Sequence, residues 1–242
     1  MSGREPLERL PSTLPQQPGT GAWLPSKRDQ KGLRRAMKRT RWALVAMASL
    51  MLVISASAQL SRLGSLQGAV SAGIARASMH GIGGSSGDSV KIDVRKTRKA
   101  GNKPLSLSLP PGSILHCGGD AQSMVVASVK GEMAGGNSYS PGSDIYLPDF
   151  NTHSYVVEAY CINFDKNNPS SDTSFSLRHP DSMLARVVSE AARRGLSVRA
   201  TQAAIWIVTD GVSYDHMSSK FPVSSSDWAQ ARAVVKHCRN MR

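Results

Sequence analysis

Residues 197–210, S-V-R-A-T-Q-A-A-I-W-I-V-T-D, constrain this chain more than any other stretch. Every residue from 203 to 208 is apolar, with Val198 and Ala200 ahead of them. Ser197 offers the hydroxyl of a helix N-cap, Gly195 suits the end of a preceding element, and Gly211 suits the exit. A helix that is apolar nearly all round is predicted to be buried. One polar group interrupts it. Gln202, one turn before Trp206, carries a carbonyl oxygen and two N–H donors, and leaving such a group unpaired in an interior costs about 1–3 kcal/mol. Its amide must either bond to neighbouring backbone or be consumed by a chemical partner.

The chain has 242 residues, room for one or two domains, and a formal charge of +13. That charge suggests nucleic acid or an anionic surface, but its distribution argues otherwise. Residues 1–58 hold ten Lys/Arg against three Asp/Glu, and residues 59–104 hold eight against two. Residues 105–242 hold twelve of each, so the part expected to fold is electrically balanced and a specific nucleic-acid face on it is not expected. The division reads as a basic leader (1–58), a basic Ser/Gly-rich linker that includes a first hairpin (59–104) and a globular domain (105–242).

Within the leader, residues 1–41 lack apolar periodicity and read as disordered. Residues 42–54, W-A-L-V-A-M-A-S-L-M-L-V-I, follow Arg34, Arg35, Lys38, Arg39 and Arg41 and form a membrane-targeting segment with its basic end on the cytoplasmic side. Two outcomes fit it. Ala56-Ser57-Ala58 before Gln59 is an A-x-A cleavage site, which gives a secreted product. An uncleaved segment over residues 42–60 approaches the ~20 residues of a membrane anchor. Both put the remainder outside the cytosol.

Further along, Val90, Ile92 and Val94 alternate, as do Leu105, Leu107 and Leu109, and this pairing predicts a hairpin with Arg95, Lys96, Arg98, Lys99 and Lys103 about its tip. That basic tip reads as a solvated turn. Short apolar runs over 113–116, 123–129, 144–147, 155–164 and 173–177, separated by turn residues, predict strands. Helical spacing follows: a run capped by Asp181 and ended by Gly195, then the Gln202 helix, then a last helix near Ser226-Asp227 bearing Trp228, Ala231, Val235 and Cys238 on one face. The fold class is α+β, a β-sandwich or small barrel of short strands with C-terminal helices packed on it.

No metal site or cofactor is expected. The six histidines make no ligand pair, and zinc held by His116, Cys117 and a remote histidine lacks a spacing signal. Asp165-x-Asn167 opens like a calcium loop, but Ser170 and Ser176 stand where Gly and Glu are required. No Gly-rich phosphate loop follows a strand, and no nucleophile elbow is expected: Gly83-Gly84-Ser85-Ser86-Gly87 has the bare G-x-S-x-G spacing but lies in a Gly/Ser-rich run. Cys161 with His153 or His179 offers a nucleophilic pair for a cysteine hydrolase, although no spacing selects either histidine.

Two blocks remain: Tyr160-Cys161-Ile162 at the end of an apolar strand, and Thr201-Gln202-Ala203-Ala204-Ile205-Trp206 on the buried helix. Here the chain resembles the internal thioester domains of bacterial surface adhesins, which pair an aromatic-Cys-apolar strand with a helical T-Q-x-A-I-W motif in this order. The resemblance covers roughly residues 156–209. It implies that Cys161 contributes the sulfur and Gln202 the acyl carbon of a thioester, with Tyr160, Thr201 and Trp206 about the pocket. It implies no turnover enzyme, but covalent attachment to an amine-bearing partner such as a lysine, because a thioester kept dry reacts with amines to give amides. With Cys161 so engaged, Cys117 and Cys238 remain as an even pair in an oxidising compartment and are expected to form a disulfide. Its long loop is worth up to about 4–5 kcal/mol in the chain-entropy model. The alternative of a different kind is a non-reactive extracytoplasmic interaction domain in which Gln202 is an ordinary hydrogen-bonded core residue.

Overall fold

The computed structural model describes residues 64–135 and 138–241. The membrane-targeting segment, the A-x-A site and the basic residues before position 64 lie outside the described residues. In chain order the elements are α1 (Leu66–Ser71), β1 (Ala75–Gly81), β2 (Ser86–Lys96), β3 (Leu105–Leu107), β4 (Ile114–His116), β5 (Met124–Gly135), β6 (Ser138–Pro141), β7 (Ile145–Leu147), β8 (His153–Cys161), β9 (Ser174–Arg178), α2 (Ser182–Arg193), α3 (Val198–Thr209), α4 (Tyr214–Lys220) and α5 (Ser225–Asn240).

The expected α+β class and the small barrel are both present. Six antiparallel strands run β4-β9-β1-β2-β8-β5, and β5 pairs again with β4 to close the barrel. Closure removes the unpaired edges that short strands otherwise expose. β6 continues β5 outward, and β3 with β7 makes a separate two-stranded sheet. β8 lies between β2 and β5, the longest partners in the barrel. Its positions Tyr155, Val157, Ala159 and Cys161 are at most 1 % exposed, the inward row of a period-two strand.

Residues 64–104 depart from the linker reading. They supply α1 and two barrel strands, with Leu66, Ala69, Ala75, Met79, Val90, Ile92 and Val94 all in the core. The Val90–Ile92–Val94 alternation does mark a strand, but its hairpin partner is β1 rather than residues 105–109. A 3₁₀ turn at Arg98–Ala100 and Gly101 at φ 70° redirect the chain, so β3 pairs with β7 instead. A Gly-rich turn joins β1 to β2. Gly83 and Gly84 take φ values of 97° and 93°, which only glycine adopts at low cost.

The helices follow their capping signals. Asp181 accepts hydrogen bonds from the Met183 and Leu184 N–H groups at the start of α2, and Ser197 accepts from Ala200 at the start of α3. Ser224 and Asp227 cap α5 reciprocally, and the Ser197 hydroxyl donates to Asp227 at 2.7 Å, tying the two helix starts together. α2 sits directly on the turn before β4: a Cβ on Gly112, at φ 86°, would lie 2.6 Å from the Ala185 Cβ. No helix among the described residues is long and apolar enough to cross a membrane.

Tyr155 fastens the small sheet to the barrel. Its hydroxyl donates to the Tyr146 carbonyl and accepts from the Tyr146 N–H at 2.9 Å. Tyr155→Phe keeps the ring and strands both backbone groups. It should lower unfolding free energy by about 1–3 kcal/mol in urea titrations, whereas Tyr146→Phe, half exposed at 50 %, should be near neutral.

Candidate functional site

The helix that dominates the sequence is buried as predicted. Seven consecutive residues of α3, from Ala200 to Trp206, are no more than 5 % exposed. Packed against α5 and α2 on some faces and β8 on another, it brings Gln202 to the end of the central barrel strand.

There Cys161 and Gln202 meet, both with no exposed surface. The Gln202 Nε2 donates to the Cys161 carbonyl at 2.8 Å, and the Cys161 N–H donates to Gln202 Oε1 at 3.0 Å. The amide thus grips the backbone of one residue from both sides, as a neighbouring strand would. The same N–H also reaches the Ser85 carbonyl at 3.1 Å. Cys161 Sγ therefore sits on the residue whose N–H and C=O both hold the amide. Burial pushes its thiol up to about 12, so the group stays neutral at physiological pH.

Beside this pair lies a concavity of about 270 Å³ lined by Ser85, Gln122, Phe164, Lys166, Trp206 and Phe221 among others. Trp206, one helical turn beyond Gln202, is wedged between the edges of Phe164 and Phe221, with ring centroids 4.9 and 5.0 Å away. Its Nε1–H is buried without a partner among the described residues, and so is Oε1 of Gln122, whose Nε2 donates to Asn168. Two orphaned polar atoms on residues of one small concavity cost about 1–3 kcal/mol each unless something binds them. At the rim Lys220 pairs with Asp165 at 2.7 Å, and this bond holds the Asp165 carboxyl below its usual range.

The other expected pocket residues are placed differently. Tyr160 points away from the Cys161 row and donates to Glu158 at 2.6 Å; burial first, then Glu158, raises its phenol pKa. Thr201 touches Tyr160 and donates back to the Ser197 carbonyl. Both support the helix–strand contact from behind, and of the three only Trp206 lines the concavity. Gln122 and Phe221 carry no sequence signal for this site, because each sits in an irregular segment without periodicity.

All three cysteines are free thiols, so the Cys117–Cys238 disulfide is not made. Their surroundings explain this. Cys117 follows β4, with its N–H on Ser123 next to the end of β8, whereas Cys238 on α5 faces the charged groups Glu190, Arg186 and Arg194 of the α2 side. Neither histidine is paired with Cys161. His153 starts β8, eight residues or roughly 26 Å up the strand at ~3.3 Å per residue, and bonds Glu132 and Asp149. His179 lines another cavity, with Pro180, Leu109 and Ser65. No group of three or more metal-ligating side chains occurs among the described residues.

The direction of the Cys161 shift has a measurable consequence. A folded pKa above the free-thiol value of 9.0 means stability is whole below pH 9 and is lost as pH rises from there towards about 12. Wherever Cys161 is a free thiol, urea unfolding across that window should show this decline. Cys161→Ala should remove the Cys161 component and leave what Cys238 and the buried tyrosines Tyr155 and Tyr160 contribute.

No family model matches this chain, and the searches of curated proteins and of solved structures return no match either.

Proposed function

We propose that this is an exported surface or secreted protein whose barrel-and-helix domain carries an internal Cys161–Gln202 thioester for covalent attachment to an amine-bearing target. The observation that carries the reading is the two-point grip of the Gln202 amide on the Cys161 backbone inside a dry core. In the forming step the Cys161 sulfur adds to Gln202 Cδ. The Cys161 N–H, already 3.0 Å from Oε1, donates to that oxygen as it takes on negative charge. The C–N bond breaks, and Nε2 leaves as ammonia with the thiol proton. Attack by a target amine then forms an amide at Gln202 and returns the Cys161 thiol. Burial that keeps the thiol neutral also keeps water from the acyl group. The orphaned Trp206 Nε1–H and Gln122 Oε1 offer a donor and an acceptor beside the approach.

A second reading draws on the same pair of bonds. Because Cys161 satisfies both ends of the amide, Gln202 needs no chemistry to be stable, and the domain then serves as a non-reactive extracytoplasmic interaction module. A cysteine hydrolase has less support, since neither candidate histidine bonds Cys161.

Intact mass separates these. Freshly purified full chain should weigh one ammonia less than its sequence, and methylamine should add covalently at Gln202 while releasing one alkylatable thiol. Cys161→Ala and Gln202→Ala should each abolish both effects. A wild-type mass equal to the sequence, unchanged by methylamine, leaves the non-reactive module. Hydrolysis of model esters with turnover, lost in Cys161→Ala, would instead select the hydrolase.

A further inference from the structure

At the opposite end of β2 from the Cys161 site the fold gathers positive charge that pairs with no carboxylate among the described residues. The folded body is not neutral: residues 64–104 bring seven Lys/Arg and two Asp to it. Six of those cations, Arg76, Arg95, Lys96, Arg98, Lys99 and Lys103, belong to β1, the end of β2 and the turn after it. None forms an ion pair among the described residues, while Lys91, the seventh, pairs with Asp93. Arg76 lies directly opposite Arg95 in the β1–β2 ladder, and like charges in that position destabilise a sheet.

Lys96 is the stronger sign. It continues the inward row Val90, Ile92 and Val94 and is only 3 % exposed, so an amine occupies a place the pattern reserves for an apolar side chain. Its Nζ donates to the Lys103 and Pro148 carbonyls at 2.9 and 3.3 Å and lies 4.9 Å from the centre of the Phe150 ring. Two carbonyls and a ring orient the ammonium, yet one N–H is unassigned and no anion offsets its charge. A buried charge without a counter-charge is costly. Asp149, next to Phe150, is engaged by His153 and Asn151.

These residues surround a concavity of about 800 Å³ lined by Arg76, Arg95, Lys96, Thr97, Arg98, Asn102 and Phe150. Its volume is that of a small-molecule site. We propose that it binds a phosphate group, with the guanidinium groups of Arg76, Arg95 and Arg98 as forked donors and the Lys96 ammonium, held on the inward side of β2, as a fixed positive charge behind them. Guanidinium forks match phosphate oxygens two at a time. A concave site with a buried amine suits a terminal or singly inserted phosphate rather than a backbone running across a flat face. A soluble phosphate compound and a lipid headgroup share this chemistry, and the test below separates them.

The test titrates full chain with inorganic pyrophosphate by calorimetry at physiological salt. The expected result is saturable one-to-one binding, weakened at least tenfold in Arg76→Gln/Arg95→Gln and unchanged in Arg199→Gln/Arg232→Gln. The first variant relieves the like-charge pair, so without ligand it should melt no lower than wild type, and pyrophosphate should raise the wild-type melting temperature alone. Vesicles of phosphatidylcholine with phosphatidylglycerol distinguish the source. Flotation that pyrophosphate competes away and the double variant loses assigns a lipid headgroup; pyrophosphate binding without such flotation assigns a soluble phosphate. Absence of saturable binding to wild type, or binding retained by the double variant, overturns the proposal.

Discussion

The pair of hydrogen bonds between the Gln202 amide and the Cys161 backbone joins the two halves of the fold. On one side is the last position of the central barrel strand; on the other is the helix buried on every face from Ala200 to Trp206. Hydrophobic burial holds α3 in place without direction, at about 1.5–3 kcal/mol for a side chain such as Ile205. The amide grip supplies the direction: any slip of the helix along β8 would strand two buried polar groups at once. Ser197 bonding to the α5 cap and Trp206 held between Phe164 and Phe221 fix the same register from both sides.

The same constraint makes the site chemically distinctive. A glutamine amide and a thiol-bearing residue are held in fixed relation where water is excluded, and a backbone N–H already rests on the amide oxygen. The proposed acyl transfer between the two side chains would draw on that position and on electrostatics rather than on a titrating base. That no histidine among the described residues bonds Cys161 is compatible with the proposed step, in which the one proton to be moved would travel from the thiol to the departing nitrogen.

Much of this was legible in residue order. Period-two runs at 90–94 and 155–161, the caps at Asp181 and Ser197, and the all-apolar character of 203–208 each name an element that forms. What stayed hidden depended on partners distant in sequence. The boundary at residue 105 was misplaced because basic composition masked strand β1, whose buried positions are Ala75, Met79 and Gly81 among Arg, Ser and His. Gln122 and Phe221 acquire meaning only beside Trp206. The odd cysteine count suggested a bridge, but Cys117 and Cys238 lie in different neighbourhoods. Lys96 looked like one more solvated lysine until the β2 row showed it facing inward. The Cys161 site and the basic concavity consequently lie at opposite ends of the β2–β8 pair, where Ser86 meets Tyr160 and Val94 meets His153.

The most direct measurement is a high-resolution crystal structure of protein purified quickly and without amine buffers. A thioester gives continuous density between Cys161 Sγ and Gln202 Cδ. The acyl oxygen should remain on the Cys161 N–H, and the Cys161 carbonyl should have lost its Nε2 donor. A separate thiol, with an intact amide donating to that carbonyl, would contradict it.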